Sequence, residues 1–377
     1  MERDKYNFIP LIGLNNIDST GFMNSTLQCL SQTMDLTKYF LDKNNEKDIK
    51  YNNIAQKNPY VLQLSPAYLE LVQQLWEKNG GKSFSPTKVK NIIENMKPLF
   101  KQSQIEDSKD LIIFILDQLH KELKKPDKNN MNNINLIQPL NQFDKENSLK
   151  HFLITFQSES SIISENFFGI TETTNECLYC KDLYNSLDLN NPICYNYQIF
   201  KCLIFPLEEV KNTKNSSLLK NNNIIINQND RISLYECFYY NQKGEKFTDQ
   251  NQNYCNICKK FYDSEYTCKI FNSPNILILI LNRGKGNIYN VKLDFNEKID
   301  ISEYVLNKEK PQIIYDLYGV ITNIGQNSPN SHFVASCKNV DNKWYRFNNE
   351  TVTPINNLQK EVIEYETPCI LFYKKNH

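Results

Sequence analysis

Met23, Leu27, Leu30 and Met34 recur at i, i+4, i+7 and i+11, which predicts one face of a helix behind a Gly/Asn/Ser-rich stretch. Tyr68, Leu69, Leu71, Val72, Leu75 and Trp76 follow Ser65-Pro66 and precede Gly80-Gly81, so an N-cap, a proline at the first position and a glycine stop bound a second helix. Ser85-Pro86 opens another with the same grammar. From about Ser108 to Leu123, Ile112, Ile115, Leu116, Leu119 and Leu123 share one face. Pro126 cannot continue that helix, and the polar run Asp127–Asn133 reads as a loop. From about residue 165 the pattern changes to short apolar or alternating segments with turn signals, which predict strands. Ile276–Leu281 is a buried strand by its length and branched content, and Tyr315–Thr322, His332–Ser336, Trp344–Phe347 and Cys369–Tyr373 continue a sheet. Lys211–Asp230 is rich in Asn, Ser and Lys and reads as a mobile insertion. Helices first and strands later predict an α+β fold without internal repeats.

Composition narrows the function. With 40% hydrophobic residues the 377-residue chain can bury a substantial core. Lys+Arg and Asp+Glu both number 43, which removes the usual electrostatic case for nucleic acid or an anionic membrane as the main partner. No apolar run is long enough to cross a bilayer, and Met1–Lys5 leads into no secretory h-region. A cytoplasmic or nuclear protein is expected, and its 11 cysteines read as reduced thiols or metal ligands.

Four of those cysteines form two knuckles, Cys177-Leu-Tyr-Cys180 and Cys255-Asn-Ile-Cys258. Two residues between thiols let both sulfurs turn to one ion, and two such pairs complete a tetrahedral zinc site. Buried thiols or a redox pair are the alternatives; two pairs in one chain favour zinc. Four thiolates leave no open position, so the zinc would be structural. Cys29, Cys194, Cys202, Cys237, Cys268, Cys337 and Cys369 stand in apolar settings and read as core residues.

Acid–base candidates are few. His120 falls in the amphipathic helix, His151 in a loop-like stretch, and His377 ends the chain, whereas His332 stands just before an apolar strand.

Two further segments carry a resemblance. Gly13-Leu-Asn-Asn-Ile-Asp-Ser-Thr-Gly-Phe-Met-Asn-Ser25 is similar to the Cys box of the ubiquitin-specific proteases, Gly-Leu-x-Asn-x-Gly-x-Thr-Cys-[Phe/Tyr]-Met-Asn-Ser. Ser331-His-Phe333 with Trp344-Tyr-Arg-Phe-Asn348-Asn resembles that family's His box. Ile105–Asp107 with Leu119-His-x-Glu-Leu123, and Phe168-Gly169 ahead of the first knuckle, match in the same order, so the resemblance covers nearly the whole chain. It implies a single papain-like domain over 1–377, with a helical thumb (1–164), zinc-bearing β fingers with the insertion near 211–230 (165–272), and a β-sheet palm carrying the His box (273–377). It implies Asn16 as oxyanion donor, His332 as general base and Asn348 as the residue orienting it. Asp107 and Phe333 would contact the tail of ubiquitin, and the charge of Asp107 would also suit a helix start.

The nucleophile is what the resemblance lacks, because the family's Cys falls on Gly21. Asp18 replaces a glycine, Ile105 and Glu106 a pair of glutamines, Asn323 a histidine and Ser331 a glycine, departures that suggest relaxed demand on the cleft. The expected function is a ubiquitin-specific-protease-like protein without hydrolytic activity, a monomer or part of a larger complex, that binds ubiquitin or a ubiquitinated protein. The alternatives are an active deubiquitinating cysteine protease in which Gly21 is a variant or an engineered change, and an adaptor without ubiquitin affinity.

Overall fold

The computed structural model describes residues 9–44, 48, 63–76, 81–103, 108–125, 140–157, 160–190, 192–220, 231–284, 290–308, 311–324, 332–364 and 366–376. The first half is helical: α1 (Gly21–Ser31), α2 (Met34–Leu41), α3 (Leu64–Trp76), α4 (Thr87–Met96), α5 (Ser108–Leu123), α6 (Lys145–Gln157) and α7 (Ile162–Phe167). Every residue of α1 is buried, including its polar ones, because it packs between α5 and the large sheet.

Three local expectations need correction. Met34 does not extend α1: the N–H groups of Gln32 and Thr33 close it by donating to Gln28 O and Leu30 O, and Met34 starts α2. α3 begins at Leu64, and Ser65 is not its side-chain cap. The Leu64 and Ser65 N–H groups donate to the two carboxylate oxygens of Glu122 at 2.8 and 2.7 Å, a carboxylate at the positive end of the helix. His151 lies within α6, not in a loop.

The large sheet has the order β17 (Thr351–Ile355), β16 (Trp344–Asn348), β15 (His332–Lys338), β14 (Ile314–Ile324), β18 (Thr367–Lys375), β11 (Ile276–Asn282) and β5 (Leu203–Pro206), with β13 (Lys298–Asp300) also on β14. Its two faces are both covered, which is why β11 reads as unbroken apolar sequence. Ile276, Ile278 and Ile280 face the core shared with the helices, and Leu277, Leu279 and Leu281 face a second core with Val320 and Trp344.

A separate four-stranded sheet runs β4 (Ile193–Phe200), β3 (Gly169–Cys177), β10 (Ser264–Asn272) and β7 (Glu245–Phe247). At its tip stand α8 (Leu178–Ser186) and the hairpin β8 (Asn253–Cys255)/β9 (Lys260–Tyr262). Two short pairs complete the strands, β1 (Gly13–Leu14) with β2 (Ser83–Phe84) and β12 (Leu293–Asp294) with β6 (Ile232–Ser233).

The interval 165–272 does not belong wholly to that second sheet. β5 pairs in parallel with β11, and α9 (Leu207–Lys220) and α10 (Leu234–Gln242) pack with it on the second core. The first half of the expected insertion is therefore helix: α9 has Glu208 and Glu209 in its first turn and buries Val210. Residues 221–230 lie outside the described residues.

Candidate active site and metal centre

Gly21 is the first residue of α1, and the loop before it is held by its own polar side chains. Asn16 Oδ1 accepts from the Thr20 N–H at 2.8 Å and the Thr20 hydroxyl at 3.3 Å, while Thr20 Oγ1 accepts from the Ile17 N–H at 3.0 Å. Asp18 and Ser19 take φ of 54° and 65°, the left-handed region where glycine is cheapest and Asp is among the better-tolerated alternatives. The Asp18 side chain does not crowd the cleft: it is 83% exposed and reaches Lys90 at 3.4 Å.

The loop and helix are bolted to the turn after β16. Leu14 N–H donates to Asn349 O at 2.8 Å, and Asn16 N–H to Glu350 Oε1 at 2.7 Å. Asn24 Nδ2 donates to Leu14 O and Asn15 O, each at 3.2 Å, and to Asn349 Oδ1 at 2.9 Å. Gly13 is obligatory, since a Cβ there would lie 2.5 Å from Glu350 O and 2.6 Å from Asn349 O. These contacts explain the Gly-Leu and Met-Asn ends of the Cys box as structure.

At Gly21 the situation is reversed. An ideal Cβ would meet Phe333 O at 3.6 Å, Phe333 N at 3.8 Å and Asn349 Oδ1 at 4.0 Å, all ordinary contacts. Gly21 thus abuts the backbone of Phe333, the residue after His332, which opens β15. Asn348 closes β16 nearby, and Asn349 stands in the turn with φ 49°. Asn24, Asn349 and Glu350, which motif reading passed over, hold the loop before Gly21 in place. Asp107 and Ser331 lie outside the described residues. Phe333 is half-buried and, with Ser108 and Arg283, lines a cavity of about 20 Å³ between the start of α5 and the large sheet.

Near Gly21 in sequence, the Thr20 and Ser25 hydroxyls and the Cys29 thiol are engaged or buried. Ser25 Oγ is buried and donates to Phe22 O at 3.0 Å, and the Thr20 hydroxyl is spent in the loop. Cys29 is fully buried, with its sulfur 3.7 Å from that of Cys337; burial first, then this partner, pushes its thiol well above the usual range. Such a thiol is inert.

The knuckles meet as their spacing implies. β3 and β10 pair so that Cys177 lies opposite Ser264, which brings the end of β3 to the β8/β9 hairpin. The four Sγ atoms of Cys177, Cys180, Cys255 and Cys258 all lie within 4.8 Å of one another, with Cys177–Cys258 at 4.0 Å and Cys180–Cys255 at 3.7 Å. Four sulfurs about 2.3 Å from one zinc stand roughly 3.8 Å apart, so the set fits tetrahedral zinc. Burial opposes ionisation of Cys255, but N–H donors from Cys258 and Ile257 prevail and bring it down to about 7, toward the thiolate that binds metal. When bound, zinc would cross-link α8 to the hairpin. Among the described residues no helix is long and apolar enough to cross a membrane.

A mixed helix and sheet domain, with the start of a buried helix facing a histidine strand and a four-Cys tip, is the architecture of a papain-like deubiquitinase: helical thumb, β-sheet palm and zinc-binding fingers. Residues 12–373 match the family model "Ubiquitin carboxyl-terminal hydrolase", and the chain belongs to that family. It is 25% identical to ubiquitin carboxyl-terminal hydrolase 2 of Bos taurus, over 97% of this chain and 55% of the relative. To ubiquitin carboxyl-terminal hydrolase 21 of Homo sapiens it is 23% identical, over 96% of this chain and 61% of the relative. The chain thus spans little more than half the length of these curated relatives. Among solved structures, a chain of the SAGA Ubp8/Sgf11/Sus1/Sgf73 DUB module bound to ubiquitin aldehyde matches with TM-score 0.67 at 22% identity, covering 100% of this chain and 72% of that one. A chain of the yeast SAGA DUBm gives TM-score 0.66 at 21% identity, covering 100% and 71%. These likenesses establish the fold.

Proposed function

We infer that this chain binds ubiquitin, or a protein carrying it, and does not hydrolyse the bond. One observation carries the reading: Gly21 offers no nucleophile where the helix, the histidine strand and the turn after β16 converge. Without a thiol no acyl-enzyme forms, and loss of a triad nucleophile costs on the order of 10⁶ in kcat. His332 as base, Asn348 as its orienting partner and Asn16 as oxyanion donor remain as the outline of the site. Asp107 and Phe333 are assigned to the ubiquitin tail. Support for ubiquitin as ligand comes from family membership and from the similar DUB module bound to ubiquitin aldehyde; that module's companion subunits favour action within a larger complex.

Titration of the full chain with ubiquitin tests this. Saturable binding that Asp107→Ala weakens supports the reading. Absence of binding would leave an adaptor that keeps the fold alone. The room for a Cβ at Gly21 favours the active protease as the second reading, in which the residue is a variant of a working site.

A further inference from the structure

We propose that the chain carries a second recognition site, for an acidic side chain of a protein partner, at the end of α1 and β15 remote from Gly21. A cavity of about 230 Å³ opens there, walled by Thr33 and Met34 after α1, Ile276 at the start of β11, Tyr318 of β14 and Lys338 at the end of β15. Val340, exposed, forms its rim. α1 rises about 1.5 Å per residue, which puts the cavity roughly 15 Å from the vacant nucleophile position. Along β15, at about 3.3 Å per residue, the separation from His332 is roughly 20 Å.

Charge decides the occupant. Lys338 is half-buried, and no carboxylate among the described residues reaches its ammonium. Each nearby acid is engaged elsewhere. Asp35 pairs with Lys374, the other lysine of the cavity, at 2.8 Å. Asp341 Oδ2 accepts from the Tyr345 hydroxyl at 2.8 Å. A lysine at a cavity wall with no carboxylate partner keeps its ammonium available to an incoming carboxylate. One uncompensated ammonium matches one carboxylate, whereas a phosphate dianion would be left half paired. The volume holds one or two side chains and is too small for a nucleotide. Met34, Ile276 and Val340 supply apolar wall for a short aliphatic residue beside the acid.

The full chain, titrated with the peptide acetyl-Ala-Val-Glu-Ala-amide and its Gln counterpart, gives the test by calorimetry or saturation-transfer NMR. The Glu peptide is expected to bind at least about tenfold tighter than the Gln peptide, as a charge-assisted contact implies. Lys338→Ala should abolish that difference and Lys338→Arg should keep it, while both variants retain thermal stability and ubiquitin affinity. Equal binding of the two peptides, binding of neither, an unchanged preference in Lys338→Ala, or displacement by an equal concentration of inorganic phosphate would each overturn the proposal. Because the ubiquitin titration is read separately, failure here leaves the reading of the cleft untouched.

Discussion

Gly13 and Gly21 are separated by eight positions and make opposite demands. Gly13 is fixed by a backbone carbonyl at 2.5 Å from any added Cβ, whereas a Cβ on Gly21 meets nothing nearer than 3.6 Å. Gly13→Ala should therefore destabilise the chain by more than about 2 kcal/mol in urea unfolding, since relief requires moving the turn after β16. Gly21→Cys should change stability by less than about 1 kcal/mol, because a first-turn helical position accepts the side chain and gains slightly in propensity. Asn24→Ala removes the side-chain amide that donates to Leu14 O, Asn15 O and Asn349 Oδ1 in a buried place and should cost about 1–3 kcal/mol. The matched boxes revealed where these residues stand in sequence but not what they touch. Asn349 and Glu350 act on the loop from more than 300 positions away, and no periodicity records that.

At the scale of elements, hydrophobic period served best where one element buries one face. α5 was legible from end to end because Leu111, Ile112, Ile115, Leu116, Leu119 and Leu123, its buried apolar residues, recur at helical spacing. β11 was legible because it is apolar throughout, sandwiched between two cores. Caps read less well. Ser65 has the look of an N-cap, yet Glu122 from α5 supplies the carboxylate that the start of α3 requires, a tertiary contact unrelated to local grammar. Glu122→Ala should raise hydrogen exchange at Leu64 and Ser65 selectively and cost about 1–2 kcal/mol. His120, in the same block, has Nδ1 2.8 Å from Ser161 Oγ, and Ser161 caps α7. A motif that could be taken for recognition is thus partly scaffold. α9 escaped notice because its polar composition masks a helix whose anchor, Val210, lies in its first turn.

Over the whole molecule the two cores lie apart from the cysteine tip, whose sheet exposes Phe261 and Tyr254 beside the knuckles. A bound zinc would therefore act on that tip and leave the two cores largely untouched. One zinc per chain is expected from elemental analysis in metal-free buffer. Its chelation should loosen the tip, read as faster proteolysis around residues 178–190 and 253–262, while far-UV dichroism falls only slightly. Less than one zinc per chain would contradict the four-Cys assignment. The α+β order and the metal set were legible in sequence because each rests on local spacing. Assignment of β5, α9 and α10 to the palm was not, because it depends on a parallel pairing of β5 with a strand more than 70 residues later. The central claim, a family fold whose chemistry is gone, is tested most directly by turnover of a fluorogenic ubiquitin substrate. The unmodified chain should give no rate above background, at protein concentrations where ubiquitin binding is saturated. Robust hydrolysis by the unmodified chain would contradict the account.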